Sequence, residues 1–188
     1  MWDVYVPVRA DGFELCRPVN RQDSATIDRL INGKRRSASW HPVVVRLIGE
    51  HEGRKLLPSD SPWFGSHALI FGPTARDALG AELHRFGEHL PLECATAELV
   101  VYNPVYVVDG LDEDRSVVER TSDGQIRRIV NLAFRTREIV GLHVFKLLNV
   151  PVSPTFVTGR VVELWTQARL GGLEFRKVWS PQQRTFAP

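Results

Sequence analysis

Apolar residues along this chain recur mainly with a period of two, a pattern that predicts more strands than helices. Trp2, Val4, Val6 and Val8 share one face of an N-terminal strand, with Asp3, Tyr5 and Pro7 on the other. Pro42 to Gly49 (PVVVRLIG) and Val100 to Val108 are apolar on both faces, which predicts buried strands. Pro104 interrupts the second run and has no N–H to give a ladder, so either a bulge or a meeting of two shorter strands is expected at Asn103-Pro104. Ser116 to Thr121 and Gln125 to Phe134 read as strands joined through Ser122-Asp123-Gly124, and Asp123-Gly124 is the strongest hairpin signal in the chain. Gly141 to Leu148 predicts a strand with Leu142, Val144 and optionally Lys146 on one face and His143, Phe145 and Leu147 on the other. Leu173 to Trp179 (LEFRKVW) predicts the last one.

Three segments have helical spacing instead. Asp23 or Ser24 is expected to cap a short helix through Ile27, Leu30 and Ile31 that Gly33 ends. Thr74-Ala75-Arg76-Asp77 resembles a capping box with aspartate in place of glutamate. With the stripe Ala75, Ala78, Leu79, Leu83 and Phe86, it predicts a helix from Thr74 to about Phe86, stopped by Gly87. Thr158 is expected to cap a further helix with Val161, Val162, Trp165, Ala168 and Arg169 inward and Gly171-Gly172 at its end. Glu50 to Ser61 reads as a mobile loop and Ser180 to Pro188 as a loose tail. The fold class is therefore α+β, a mixed and mostly antiparallel sheet system with a few packed helices, because hairpin signals argue against a doubly wound parallel sheet.

Composition sets the scale. A chain of 188 residues with 43% hydrophobic content is one domain, with two lobes divided near residue 60 as an option. It is long enough to bury roughly 70% of the surface its unfolded form exposes. The 24 basic and 22 acidic residues are too balanced for the overall field to indicate a nucleic-acid or membrane partner. Lys34-Arg35-Arg36 followed by Trp40 fits a basic patch with a stacking aromatic, although a charge run after a helix is ordinarily a solvated loop. Cys16 and Cys94 lie far apart, as reduced thiols in a cytoplasm do. No apolar run approaches the ~20 residues of a membrane helix, and no cationic start precedes an apolar stretch. A soluble cytoplasmic protein is the expectation.

Enzyme signatures are missing from the sequence: there is no phosphate-binding glycine loop, nucleophile elbow, HExxH or paired-cysteine pattern, so no catalytic residue, cofactor or metal is assigned. His84, His89 and Cys94 fall five apart, which does not suit ligands on one helical face. Trp63 and Phe64, set between Pro62 and Gly65, read as a pair closing a core, or as a ligand-stacking wall with His67 as acid or base; the sequence nearby offers that histidine no partner. His143, on an apolar face, reads as a satisfied core histidine. The one dense acidic group is Asp109, Asp112, Glu113 and Asp114, with Arg115 beside it. A solvated turn, a partner-facing patch and an oxygen-ligand cation site all remain open for it, and Arg115 is available to pair with one carboxylate.

From Pro62 to Trp179, about two thirds of the chain, the sequence resembles a family of bacterial immunity proteins from polymorphic-toxin systems, first catalogued as a domain of unknown function and abundant in myxobacteria and other proteobacteria. The most specific pieces are Val108-Asp109-Gly110-Leu111-Asp112 with Arg115-Ser116, Phe145-Lys146-Leu147, Phe156-Val157-Thr158, and Gly172 to Arg176 with the closing Trp179. PWFGSH, DGQIRRI and LAFR also fit, whereas the first sixty residues match more loosely. The resemblance implies a non-enzymatic protein that binds a cognate toxin, usually encoded beside it, and blocks its active site or substrate surface. Asp109, Asp112, Glu113, Asp114 and Arg115 are the partner-binding candidates. The readings from other classes are a small-molecule-binding protein or enzyme with a pocket near Trp63 and His67, and an adaptor that delivers a toxin without neutralising it.

Overall fold

Strands outnumber helices in the computed structural model, which describes residues 2–148, 150 and 152–181. One five-stranded sheet has the order β14 (Leu173–Trp179), β1 (Val4–Arg9), β13 (Phe156–Thr158), β12 (Val144–Leu147), β9 (Val107–Val108). A second has the order β2 (Leu15–Pro18), β3 (Val44–Ile48), β7 (Gly87–Cys94), β8 (Leu99–Pro104), β6 (Leu69–Phe71). Two ladders, β12 with β9 and β3 with β7, are parallel, and the other ladders of the two sheets are antiparallel. Two-stranded hairpins are formed by β4 (Glu50–His51) with β5 (Arg54–Lys55) and by β10 (Val117–Arg120) with β11 (Ile126–Asn131). The helices are α1 (Gln22–Leu30), α2 (Pro73–Leu83), α3 (Thr136–Ile139) and α4 (Gly159–Gln167). The architecture is the α+β class expected from the sequence.

Alternation along the strands sorts apolar side chains into three cores. On β8, Val100 and Tyr102 join a core that both sheets share with α2 and α4, while Leu99 and Val101 join a second core closed by Ile27 and Ile31 from the α1 region. On β13, Val157 points into the shared core and Phe156 into a third, where Phe145, Trp179 and Phe134 pack beneath the β10–β11 hairpin. Both faces of the central strands are thus buried, the reason their sequences are apolar throughout. Segments before residue 60 serve both sheets: β1 sits between β13 and β14, and β2 and β3 pair alongside β7.

Several local expectations are corrected. Of the two alternatives at Pro104, Val100 to Val108 takes the second, two strands, but they lie in different sheets, and the Val105 N–H still donates to the Phe86 carbonyl at 2.9 Å just past the end of β8. In β3 only Val45 is buried, so the PVVVRLIG run is half exposed. Helix α1 starts at Gln22, whose N–H is accepted by the side chain of Asn20; neither Asp23 nor Ser24 caps it. Helix α2 begins with Pro73 after Gly72, with no side-chain cap, and Gly87 opens β7 rather than closing the helix. Its closeness to neighbours explains the glycine, since a Cβ there would lie 2.5 Å from the Asn103 carbonyl oxygen. Glu50 to Ser61 begins with the β4–β5 hairpin, and Leu57 exchanges backbone hydrogen bonds with Gly12 and Glu14. At the end of α4, Ala168 and Arg169 are exposed rather than inward, and Arg169 takes a positive φ of 54°. Of the tail expected from Ser180 to Pro188, residues 182–188 lie outside those described.

Candidate functional site

The acidic turn is built by strand-like pairing with the segment that follows β11. Leu111 bridges Phe134, the Asp112 N–H donates to the Ala133 carbonyl at 2.9 Å, and the Arg135 N–H donates to the Gly110 carbonyl at 2.8 Å. The Ser116 hydroxyl closes the turn, accepting from the Ala133 N–H at 2.9 Å and lying 3.2 Å from its carbonyl. Leu111 and Phe134 are buried in the third core, so the backbone beneath the carboxylates is fixed.

The carboxylates themselves divide into two kinds. Asp109 pairs with Arg135 at 2.9 Å, and Glu113 pairs with Arg120 of β10. Asp112 and Asp114 make no ion pair among the described residues. Arg115, the expected local counter-charge, is exposed and engages Asp112 only through its backbone N–H; the guanidinium groups on Asp109 and Glu113 come from Arg135 and Arg120 instead. The structure therefore brings all five sequence-selected residues together on one rigid turn. Its two paired carboxylates are partly neutralised.

Beside this turn, a groove of about 360 Å³ lies between the β10–β11 hairpin and the first sheet. Its floor is apolar, formed by Val6, Val8, Leu132, Phe156 and Val178, and three arginines, Arg127, Arg128 and Arg176, stand along it. No carboxylate lines it among the described residues. Trp63 reaches this groove, while Phe64 packs toward the second core, so the adjacent aromatics serve different places rather than one stacking wall.

His67 has a partner that local sequence did not reveal. Its Nε2 lies 2.6 Å from Asp28 Oδ1, supplied by α1 from 39 positions earlier. Lys146, fully buried at 4% exposure, donates from Nζ to the carbonyls of His67 (2.7 Å) and Ile31 (2.9 Å). Burial pushes the Lys146 ammonium down to about 8, with the Asp28 carboxylate opposing part of that shift. Burial also lowers His67; the Asp28 charge opposes this and the Lys146 charge adds to it. Asp28 and Lys146 line a cavity of about 190 Å³ with Val107 and Ser153. Lys146 sits at an inward position of β12, and a lysine inside a run such as HVFKLL was the available signal for it.

The remaining candidates are placed by contacts of their own. Lys34 and Arg36 hold their loop onto the second sheet: the Lys34 carbonyl accepts from Asn103 at 2.8 Å and the Arg36 N–H donates to the buried Glu88. Trp40 gives its indole N–H to the Pro91 carbonyl at 2.7 Å. His84 and His89 stack edge to face at 4.9 Å. Cys94 bonds to Thr96, and both cysteines are free. No group of His, Cys, Asp and Glu suited to a metal ion occurs among the described residues. His143 precedes β12, half-buried, with Nδ1 2.6 Å from Glu82 of α2, so it is held by a carboxylate rather than sitting in an apolar core. No described helix is long and apolar enough to cross a membrane. No protein-family model matches the chain, and no curated protein matches it.

Proposed function

We propose that this chain is an immunity protein that binds a cognate toxin domain and occludes its active site or substrate surface, acting by binding rather than by catalysis, in the cytoplasm. The observation that carries this reading is the convergence of the pieces of resemblance. Val108, Leu111, Phe145, Leu147, Phe156 and Trp179 are distant in sequence, yet they meet in the third core, while Val157, Leu173 and Phe175 of the same pieces join the shared core on the other face of the sheet. The acidic turn is the exposed edge of that third core, through Leu111. A binding protein of this kind needs a rigid surface with a few anchors inside an interface of ~1,600 Å², and a turn fixed by backbone bonds loses little freedom on association.

Co-expression tests the reading. A strain producing the toxin domain encoded beside this gene should survive when this chain is co-expressed and die without it. If the two proteins co-purify but the cells still die, the chain is an adaptor and the reading fails.

A second reading draws on the Lys146, Asp28 and His67 constellation, a buried cation and an aspartate–histidine pair beside a cavity of about 190 Å³. In it the chain binds a small polar molecule. Against it stands the use of Lys146: two backbone carbonyls take two of its three N–H groups, tying α1, the His67 segment and β12 together.

A further inference from the structure

We propose that the groove under the β10–β11 hairpin receives an extended segment of the partner protein, rich in alternating carboxylate and aliphatic residues, which adds as a strand to the outer edge of β11. This rests on the binding-protein reading above and names the chemistry of the partner.

Three observations carry it. First, among the described residues β11 pairs only with β10, so its other edge has no strand neighbour there. Four consecutive residues of that strand, Ile126 to Ile129, line the groove, and a register shift there leaves Arg127 without a partner on β10, so this irregular stretch of β11 borders the groove. A strand edge left open in this way offers its N–H and C=O groups to an incoming extended peptide. Second, the floor is aliphatic and aromatic, with Val6, Val8, Phe156 and Val178 facing the space, which suits alternate apolar side chains of the added strand. Third, the charge is one-sided. Arg127 and Arg176 stand on opposite strands bordering the groove, neither makes an ion pair among the described residues, and Arg128 reaches Glu119 only at 3.8 Å. Guanidinium groups without carboxylate partners recognise carboxylates by bidentate hydrogen bonds. A small anionic amphiphile would satisfy the second and third observations, but it makes no use of the open edge.

The test uses a fluorescein-labelled peptide of alternating glutamate and valine, about eight residues long, a common strand length. Fluorescence polarisation against the full chain should show saturable binding. It should weaken about tenfold or more in the Arg127→Glu/Arg176→Glu double variant, whose folding circular dichroism checks. The same peptide methylated on alternate backbone nitrogens should fail to bind, because it cannot extend a ladder. Hydrogen exchange at Ile126 to Ile129 should slow in the presence of the unmodified peptide. Equal binding of a lysine–valine peptide, undiminished binding of the methylated one, or displacement of bound decanoate without edge protection would overturn the proposal, as would no binding at all. Neutralisation of the toxin by the wild-type chain together with failure of the peptide would remove this inference and leave the immunity reading standing.

Discussion

Lys146 donates from Nζ to the backbone carbonyl of His67, 2.7 Å away, from inside a strand whose every residue is buried. The same ammonium reaches the Ile31 carbonyl just past the end of α1, so one side chain joins a helix terminus, a loop and a strand. A positive charge suits that end of a helix, where carbonyl groups lack intrahelical donors. Replacing Lys146 by alanine removes buried volume and leaves two carbonyls without their donor. Stability should fall by about 3 kcal/mol, read by urea denaturation, and Lys146→Met should lose less because it keeps most of the volume.

Phe134 is the hub of the third core. Its ring meets Phe145, Phe156 and Trp179 edge to face at 5.7, 5.3 and 5.6 Å. Because Phe134 also bridges Leu111, loss of this ring loosens the acidic turn as well as the core. Phe134→Ala should cost about 3–5 kcal/mol and Phe134→Leu about 1–2 kcal/mol. Near-ultraviolet circular dichroism should change in both, since the aromatic cluster is asymmetric.

Acid should destabilise the fold through His89. Burial, aided by the charges of His84 and Arg76, pushes this imidazole down to about 4 from 6.5, and neither ring nitrogen finds a hydrogen-bond partner. Between those two values the unfolded chain binds the proton and the folded chain does not, so stability is full above pH 6.5 and falls as the pH drops toward 4. The ring is only partly buried and solvent screens it, so the loss should be about 1 kcal/mol. His89→Leu should flatten that limb of a melting-temperature profile, and an unchanged profile would show that His89 is not its source.

The acidic turn should act on association rate. Asp109 and Glu113 already pair with Arg135 and Arg120, leaving Asp112 and Asp114 as the carboxylates of the turn without an ion pair among the described residues. Replacing Asp112, Glu113 and Asp114 together by lysine should slow toxin association severalfold at low salt in stopped-flow measurements. Most of that effect should persist in the Asp112→Lys/Asp114→Lys double variant, and salt should shrink it in both. An unchanged on-rate would take the turn out of the interface.

Much of the scaffold was legible because local patterns carried it. Strand β14 spans Leu173–Trp179 as its alternation predicted, and Gly124, at φ 83°, sits in the turn that Asp123-Gly124 announced. Proline at 104 also announced a break, but not that the two halves enter different sheets, since sheet membership is decided by distant partners. Long-range pairing likewise hid the rest. Asp28 meets His67 only because α1 closes over the second sheet, and Arg120 and Arg135 reach the acidic turn only once the hairpin has folded back. The groove has no sequence signature, because its floor comes from strands that are also core.

The most direct measurement of the central claim is a titration of the purified cognate toxin's activity with this protein. Inhibition should be complete near one equivalent, with a single complex on size-exclusion chromatography that survives high salt. A toxin that stays fully active while bound, or that does not bind at all, would contradict the account.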